Sequence, residues 1–198
     1  MSGRRGAQEA ARSGRLVAAT LDPAEMPSDG LPEVAFLGRS NAGKSSLLNA
    51  LLGAQIAPVS SKPGKTSVIC FYAMPGWYLV DLPGYGYAQI SKERRSAIGE
   101  RVEAFLTNRQ PLLGGLVVQD CRRDPEEEEA LLRRWAASRN LFLAVVANKA
   151  DKLNQRERVE RKAALEAAWK LPVILVSART RENLEAVRAA IRGLGLSI

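Results

Sequence analysis

The stretch Glu33–Leu52, EVAFLGRSNAGKSSLLNALL, constrains the fold of this chain more than any other stretch. An apolar run leads into Gly38–Ser45, which has the pattern G-x-x-x-x-G-K-S, and leucines at helical spacing follow it. Glycines at both ends let a loop wrap around a phosphate with its N–H groups pointing inward, and the start of a helix adds further N–H groups. We therefore predict a strand, a phosphate-binding loop and a helix.

Two side chains of this loop have the chemistry that a nucleotide phosphate requires. Lys44 is placed to reach the β- and γ-phosphates and is a candidate catalytic residue, and the Ser45 hydroxyl suits Mg²⁺. A glycine-rich turn with a chance lysine is the alternative, which the flanking strand and helix patterns disfavour. The predicted nucleotide-binding residues of this stretch are Gly38, Arg39, Ser40, Asn41, Ala42, Gly43, Lys44, Ser45 and Ser46.

A second motif, Asp81-Leu82-Pro83-Gly84, follows the apolar strand predicted at 77–80. A carboxylate at this place can hold Mg²⁺, usually through water, and the backbone N–H of Gly84 can sense the γ-phosphate. An ordinary D-x-P-G turn is the alternative. We predict that all four residues contact the nucleotide, that Asp81 is a metal ligand and that Gly84 takes part in catalysis.

A third motif, Asn148-Lys149-Ala150-Asp151, also comes directly after an apolar strand. A carboxylate at Asp151 can accept hydrogen bonds from N1–H and from the N2 amino group of guanine, and adenine lacks this pair of donors. Asn148 is predicted to face the N7/O6 side of the base and to tie loops together, while the aliphatic stem of Lys149 covers the ring. The motif therefore predicts selectivity for guanine.

The segment Ser177-Ala178-Arg179 follows the last predicted strand and completes the predicted base site. A backbone N–H of this segment would bind guanine O6. An ATPase or a kinase would share the phosphate loop, but the guanine-selective Asp151 argues against that alternative.

Apolar strand patterns alternate with helical patterns along the chain, and most of the strands are apolar throughout. This is typical of a mostly parallel sheet that helices cover on both faces. A hairpin turn at Pro75-Gly76 breaks the alternation and predicts one antiparallel edge strand. The expected fold class is α/β, with three layers around a six-stranded sheet, and such sheets bind ligands at the carboxyl ends of their strands.

The segment Asp124-Pro125-Glu126-Glu127 predicts the start of a helix. Asp124 would be its N-cap and Pro125 its first residue. The acidic run Glu126–Glu129 then needs no functional explanation, because carboxylates are favoured in the first helical turn.

The chain is predicted to consist of one domain preceded by a short arm. Residues 1–13 are rich in glycine, arginine and alanine and are predicted to be flexible, although an amphipathic transit peptide has a similar composition. Residues 14–198 contain no repeat or low-complexity block that suggests a second domain. The formal net charge of +8 suggests an anionic partner such as nucleic acid, a ribonucleoprotein or a membrane surface, and it also suits plain solubility.

The cysteine and histidine content bears on metal chemistry and on the compartment. The two cysteines, Cys70 and Cys121, form no C-x-x-C pair and the chain has no histidine, which argues against a zinc site. Both thiols lie beside apolar residues and indicate a reducing compartment. No apolar run has membrane-spanning length, and the N-terminus lacks the apolar region of a secretory signal, so we do not expect it to be one.

Together the motifs resemble those of small Ras-like GTPases of the translation-factor class. GRSNAGKSSLLNAL, SSKPGKT, LVDLPGYGYA and NKADK are similar to the EngB/YihA-type bacterial ribosome-biogenesis GTPases, over roughly residues 14–195. The resemblance implies a P-loop GTPase fold with GTP or GDP and Mg²⁺ as cofactors. It implies a cytoplasmic protein that assists late maturation of the large ribosomal subunit and meets ribosomal RNA. The older family name adds a secondary role in cell division and septation. Neither a membrane nor DNA is an expected partner, and a monomer is the default.

The resemblance also assigns roles in the loop before the first strand of the hairpin. Thr66, in Lys62-Pro63-Gly64-Lys65-Thr66, occupies the place of the switch I threonine that closes on Mg²⁺ and the γ-phosphate. Gly64, Lys65 and Thr66 are accordingly predicted to contact the nucleotide, with Thr66 also a metal ligand and a catalytic residue. A solvated loop threonine is the alternative.

The residue that orients the attacking water in Ras-like enzymes is missing from its usual place. A glutamine normally follows the D-x-x-G glycine, and here that position is Tyr85. We therefore expect slow hydrolysis until a partner completes the site, and a binding scaffold with negligible hydrolysis is the alternative. In related GTPases an asparagine at the position of Asn41 helps to hold a potassium ion, so stimulation by K⁺ is a further hypothesis.

Overall fold

The structure, a computed structural model, describes residues 14–57, 67–84 and 92–198, apart from the side chains of residues 92–96. The predicted flexible arm at residues 1–13 lies outside this part of the chain. The strands are β1 (Arg15–Thr20), β2 (Glu33–Leu37), β3 (Ile69–Met74), β4 (Trp77–Asp81), β5 (Leu112–Asp120), β6 (Phe142–Asn148) and β7 (Val173–Leu175). The α-helices are α1 (Lys44–Leu52), α2 (Lys92–Asn108), α3 (Glu127–Ser138), α4 (Gln155–Trp169) and α5 (Leu184–Arg192), and 3-10 turns cover Pro23–Glu25 and Ala150–Lys152.

The strands form a single mixed sheet in the order β1-β3-β4-β2-β5-β6-β7. In the row β4-β2-β5-β6-β7 each strand is parallel to its neighbours, whereas β3 runs antiparallel to both β4 and β1. The predicted α/β class with a mostly parallel sheet is confirmed. The sheet has seven strands instead of the expected six, because residues 15–20 pair with β3 and form the edge. A bulge between Leu16 and Ala18 interrupts the two-residue period of this strand and obscures it in the sequence.

Helices pack on both faces of the sheet, which gives the three layers. Alternate residues of β2 enter opposite cores: Val34 and Phe36 belong to one buried cluster, and Ala35 and Leu37 belong to the other. The first cluster includes side chains of α1 and α5, and the second includes side chains of α2 and α4. Because both faces are covered, β2 is buried along its whole length, as its continuous apolar sequence requires.

The parallel strands bring distant parts of the chain to one edge. Phe36 is level with Asp81 of β4, and Asp120 of β5 is level with Asn148 of β6. The phosphate loop follows β2 at the same edge. The register therefore gathers the predicted site residues at the carboxyl ends of the strands, where open α/β sheets bind ligands.

The start of α3 differs from the prediction. The helix begins at Glu127 with Glu126 as its N-cap, so the predicted N-cap at Asp124 is wrong. The Asp124 carboxylate instead accepts a hydrogen bond of 2.8 Å from Arg161 of α4, while the backbone N–H of Glu126 donates to Glu129 at 2.8 Å. The Asp124 carboxylate is therefore engaged with Arg161, and the helix starts two residues later than predicted.

Within the described residues, no helix combines the length and the apolar character that crossing a membrane requires.

A buried ion pair lies at the amino end of β2, away from the phosphate loop. Glu33 is 1% exposed, and Arg109 donates to its two carboxylate oxygens at 3.0 and 2.9 Å through Nε. The Arg109 guanidinium also lies 5.5 Å from the ring centre of Phe71 and 5.9 Å from that of Phe105. Burial raises the pKa of Glu33, and the hydrogen bond and the charge of Arg109 only partly oppose this.

Arg109→Met should destabilise the fold, because it leaves the Glu33 carboxylate buried without its cation. We expect a loss of about 3 kcal/mol in the free energy of unfolding, measured by urea denaturation at neutral pH. Arg101→Met, at an exposed position of α2, is the matched control and should change stability by no more than about 0.5 kcal/mol. A loss below about 1 kcal/mol for Arg109→Met would contradict the importance of this pair.

Candidate nucleotide-binding site

The loop between β2 and α1 has the shape of an anion cradle. Its end glycines have left-handed backbone angles, with φ of 138° at Gly38 and 96° at Gly43. A Cβ atom at Gly38 would lie 2.1 Å from the carbonyl oxygen of Val118, and one at Gly43 would lie 2.4 Å from Nδ2 of Asn148. Glycine is thus required at both ends by the backbone angle and by close contacts with the neighbouring strands.

Lys44 lies in the first turn of α1 with its ammonium inside the cradle. The residue is 8% exposed, and its Nζ donates to the carbonyl oxygen of Gly38 at 2.9 Å. A Cβ atom at Gly84 would lie 2.7 Å from this nitrogen, so the second motif faces the loop directly. Burial lowers the pKa of Lys44, and the charge of Asp81 only partly opposes this. A buried ammonium held mainly by carbonyl oxygens is suited to receive an anionic ligand.

Asp81 ends β4 beside the cradle. It is 2% exposed, and its Oδ1 atom is buried with no hydrogen-bond partner among the described residues. Burial raises the pKa of Asp81 to about 6, although the charge of Lys44 opposes the shift. The hydroxyl of Ser40 in the phosphate loop is also buried without a partner in the described part of the chain. An orphaned carboxylate oxygen next to a phosphate cradle fits a hard cation such as Mg²⁺.

The other predicted residues of the phosphate side lie around this centre. Ser45 and Ser46 are partly buried in the first turn of α1, Asn41 is exposed, and Ala42 is buried. Leu82, Pro83 and Gly84 follow β4 and are buried. The predicted switch residues Gly64, Lys65 and Thr66, together with Tyr85, lie outside the described residues.

Arg39 points away from the centre of the loop. Its guanidinium forms an ion pair of 2.5 Å with Glu126 at the start of α3, and Glu128 lies 3.8 Å from the same nitrogen. Burial opposes a charged Arg39, but the hydrogen bond and the charge of Glu126 raise its pKa. Any contact between Arg39 and a phosphate would therefore come from its backbone. No local pattern connects the acidic run at residues 126–129 with the phosphate loop.

Asn148 connects three loops at the base side of the site. It is 2% exposed, and its Nδ2 donates to the carbonyl oxygen of Ala42 at 3.2 Å. Its Oδ1 accepts from the backbone N–H groups of Lys149 at 2.8 Å and Ala178 at 3.0 Å. One amide thus holds the phosphate loop, its own loop and the segment after β7 in fixed relative positions.

Asp151 is oriented by a residue that follows β7. The hydroxyl of Ser177, which is fully buried, donates to Oδ1 of Asp151 at 2.7 Å and accepts from the N–H of Thr180 at 3.1 Å. The exposed guanidinium of Arg179 lies 3.7 Å from Oδ2. Only a backbone contact was predicted for the Ser177 segment, whereas the Ser177 side chain fixes the direction of the predicted base-selecting carboxylate.

Asp120 is a site residue that sequence reasoning missed. It ends β5 one strand away from Asn148, and its Oδ2 lies 3.0 Å from Nζ of Lys149. The sequence does contain a pattern that could have indicated it, because an aspartate ends the run LVVQD just as Asp81 ends YLVD. Its partner lies 29 residues further along the chain, so the pattern alone does not reveal the contact.

A surface cavity of about 330 Å³ adjoins both halves of the site. Ser46 and Asn49 line it from α1, and Ala178 and Arg179 line it from the segment after β7. Gly53 and Gln55 line it beyond the end of α1, so the cavity lies between this helix and the segment after β7.

The fold, with a phosphate loop facing an N-K-x-D segment at its carboxyl edge, places the chain in the class of P-loop GTPases. A family model described as 50S ribosome-binding GTPase matches residues 33–179. The probable GTP-binding protein EngB of Syntrophomonas wolfei is 38% identical over 178 residues, which cover 88% of this chain and 92% of the relative. That of Thermoanaerobacter pseudethanolicus is 46% identical over 135 residues, which cover 67% and 70%. The chain belongs to the EngB family of GTP-binding proteins, as its motifs predicted.

Solved structures agree on the fold. A crystal structure of a probable GTP-binding protein EngB has a TM-score of 0.68 at 22% identity and covers 82% of this chain and 97% of its own. Era of Aquifex aeolicus, bound to GDP and AlF₄⁻, has a TM-score of 0.68 at 23% identity, covering 84% and 57%. Family membership means that the cradle of this chain takes GTP or GDP, and Mg²⁺ typically accompanies them.

Asp81 should make the stability of the nucleotide-free protein depend on pH. Its folded pKa of about 6 exceeds its ordinary value of 3.8, so the stability that its proton provides is present below 3.8 and lost as pH rises through about 6. At about pH 8, without Mg²⁺ or nucleotide, Asp81→Asn should be roughly 1–3 kcal/mol more stable than wild type in urea denaturation. At about pH 4 the difference should nearly vanish.

The exposed Asp124 provides the control, since Asp124→Asn should show no such pH-dependent gain. Adding Mg²⁺ and GDP should reverse the order of stability, because Asp81→Asn removes the carboxylate that suits the cation. An Asp81→Asn difference that stays constant across this pH range would contradict the account.

Proposed function

We propose that this chain is a GTP-hydrolysing switch, dependent on Mg²⁺, that acts in the cytoplasm on a late step in assembly of the large ribosomal subunit. The observation that supports selectivity for guanine is the Asp151 carboxylate, which is 11% exposed and oriented by Ser177. The description of the matching family as 50S ribosome-binding GTPases supports the ribosomal part. The net charge of +8 suits contact with ribosomal RNA.

The phosphate half would act through two charges that the fold already holds in place. Lys44 would exchange the carbonyl oxygen of Gly38 for phosphate oxygens, and loop N–H groups would add further donors. Ser45 and Asp81 would hold Mg²⁺, and Thr66 and Gly84 would contact the γ-phosphate. A cation held by Ser45 and Asp81 would supply positive charge that offsets the negative charge of the phosphates.

The base half would select guanine by its hydrogen-bond donors. Asp151 would accept from N1–H and the N2 amino group, and in doing so it would replace Arg179 as the nearest charge to Oδ2. Asn148 already uses Oδ1 and Nδ2 to connect loops, so its main contribution would be to fix their geometry. The stem of Lys149 would cover the ring.

Hydrolysis is proposed to be slow in the isolated chain. Tyr85 stands where Ras-like enzymes have the water-orienting glutamine, and the chain has no histidine that could replace it. The large subunit would complete the site, with the loops around Thr66 and Gly84 reporting the presence of the γ-phosphate. Neither a membrane nor DNA is an expected partner, and the chain is expected to be a monomer. A role in septation would be secondary to ribosome assembly. A nucleotide-dependent scaffold that hydrolyses negligibly is the second candidate, which the missing glutamine favours.

Asp151→Asn should convert the base preference. An amide offers one acceptor and one donor, which matches xanthine, where a carbonyl replaces the N2 amino group of guanine. We expect GDP affinity to fall by about 10²-fold or more and xanthosine diphosphate affinity to rise, as measured by calorimetry. Asp124→Asn should bind GDP like wild type. Unchanged GDP affinity in Asp151→Asn would overturn the proposed base site.

Binding to the large subunit should depend on both nucleotide and salt. In co-sedimentation with purified large subunits we expect more bound protein with a non-hydrolysable GTP analogue than with GDP, and a steep loss as salt rises. The subunit should also accelerate GTP hydrolysis. Sedimentation that ignores both nucleotide and salt would contradict the switch, and unaccelerated hydrolysis would favour the scaffold.

Potassium is proposed to stimulate hydrolysis through Asn41. The residue is exposed in the phosphate loop, and its backbone is left-handed at φ 65°. Hydrolysis should be faster in K⁺ than in Na⁺ at equal ionic strength, and Asn41→Ala should remove the difference. Equal wild-type hydrolysis rates in the two salts would contradict stimulation by potassium.

A further inference from the structure

A buried carboxylate outside the recognised motifs lies between the two halves of the site. Asp120 is the last residue of β5, and its side chain is 7% exposed. It is level with Asn148 across the β5–β6 pair, so it sits beside the start of the base-selecting loop. A carboxylate is rarely buried to this extent without charged partners.

Two cations hold this carboxylate. Arg122 donates to Oδ1 through Nε at 2.9 Å and through its backbone N–H at 3.1 Å, and it donates to Oδ2 at 2.7 Å. The ammonium of Lys149 lies 3.0 Å from Oδ2. Burial alone would raise the pKa of Asp120, but the hydrogen bonds from Arg122 and Lys149 hold it well below its usual range. Asp120 therefore carries a negative charge at neutral pH.

The Lys149 ammonium is fixed at a second point as well. Its Nζ donates to the carbonyl oxygen of Asn41 in the phosphate loop at 2.6 Å. At the other end of the side chain, the Lys149 backbone is held at φ 72° and its N–H donates to Asn148. The four-carbon stem is thus stretched between two anchored ends, across the gap between the phosphate loop and β6.

A free lysine side chain has many rotamers, and fixing it on ligand binding costs affinity. We propose that Asp120 is a positioning residue for the guanine nucleotide, which holds the ammonium of Lys149 so that its stem is set in place to cover the base before the nucleotide arrives. This inference rests on the proposed base site and names a residue that determines its affinity. Arg122 fixes the rotamer of Asp120, and with a side chain 49% exposed it links this arrangement to the surface.

The Asp120–Lys149 pair predicts how the affinity should change for two nucleotides that differ in the base. Asp120 acts on the stem that covers the ring, whereas Asp151 faces the donors of the ring edge. Asp120→Asn should therefore lower the affinity for GDP and the affinity for inosine diphosphate, which lacks the N2 amino group, by the same factor. We expect about a tenfold loss for each, with the ratio of the two affinities unchanged from wild type.

The experiment measures dissociation constants of GDP and inosine diphosphate by calorimetry for wild type, Asp120→Asn, Lys149→Met and the double variant. Lys149→Met should lose about as much affinity as Asp120→Asn, and the double variant should lose little more than either. Asp124→Asn is the matched control, since it makes the same change at an exposed carboxylate that pairs with Arg161 of α4. Urea denaturation checks that each variant is folded.

Three outcomes would overturn the proposal. One is GDP affinity in Asp120→Asn equal to wild type. Another is an additive loss in the double variant, since Asp120 would then act without Lys149. The third is a changed ratio of GDP to inosine diphosphate affinity, which would mean that Asp120 acts on Asp151. If Asp120→Asn fails to fold, wild-type affinity in Lys149→Met would overturn it equally. Failure of wild type and Asp124→Asn to bind GDP would instead refute the proposed base site.

Discussion

The burial of Lys44 and Asp81 at the carboxyl edge of the sheet is the constraint on which the site depends. Each is at least nine-tenths buried, yet the ammonium is held mainly by carbonyl oxygens and one carboxylate oxygen has no partner in the described part of the chain. Such groups cost stability in the empty protein. A phosphate and a divalent cation supply the missing partners together, so the fold is prepared for a ligand that carries both. The two apolar cores and the Glu33–Arg109 pair stabilise the sheet that holds these charges.

Polar contacts connect the two halves of the site, in addition to the apolar cluster that contains both Ala42 and Val176. Asn148 binds the phosphate loop and the segment after β7 with one amide, and Lys149 spans from Asp120 to Asn41. Arg39 extends the connection to the start of α3. A displacement of the phosphate loop would therefore also move the base-side loops and the start of α3. These contacts are a physical route by which the bound nucleotide can change the surface of the GTPase.

Local patterns predicted much of the fold and of the site. The phosphate loop, Asp81 and the segment 148–151 are short motifs whose chemistry is complete within a few residues, and parallel-strand topology places them at one edge. What the sequence could not predict depends on distant partners: Asp120 with Lys149, Arg39 with Glu126, and Asp124 with Arg161. The edge strand β1 is the one beyond the expected six, and its bulge breaks the two-residue period of a strand. The proposed ribosomal partner rests on the family resemblance and on the net charge, and on no residue motif of its own.

The central claim is that this edge of the sheet binds a guanine nucleotide and rejects adenine. Calorimetric titration of GDP and of ADP into the wild-type protein in the presence of Mg²⁺ tests it most directly. The account predicts that GDP binds at least about 10³-fold more tightly than ADP, because adenine would leave the carboxylate of Asp151 unpaired. Comparable affinities for the two nucleotides would contradict it.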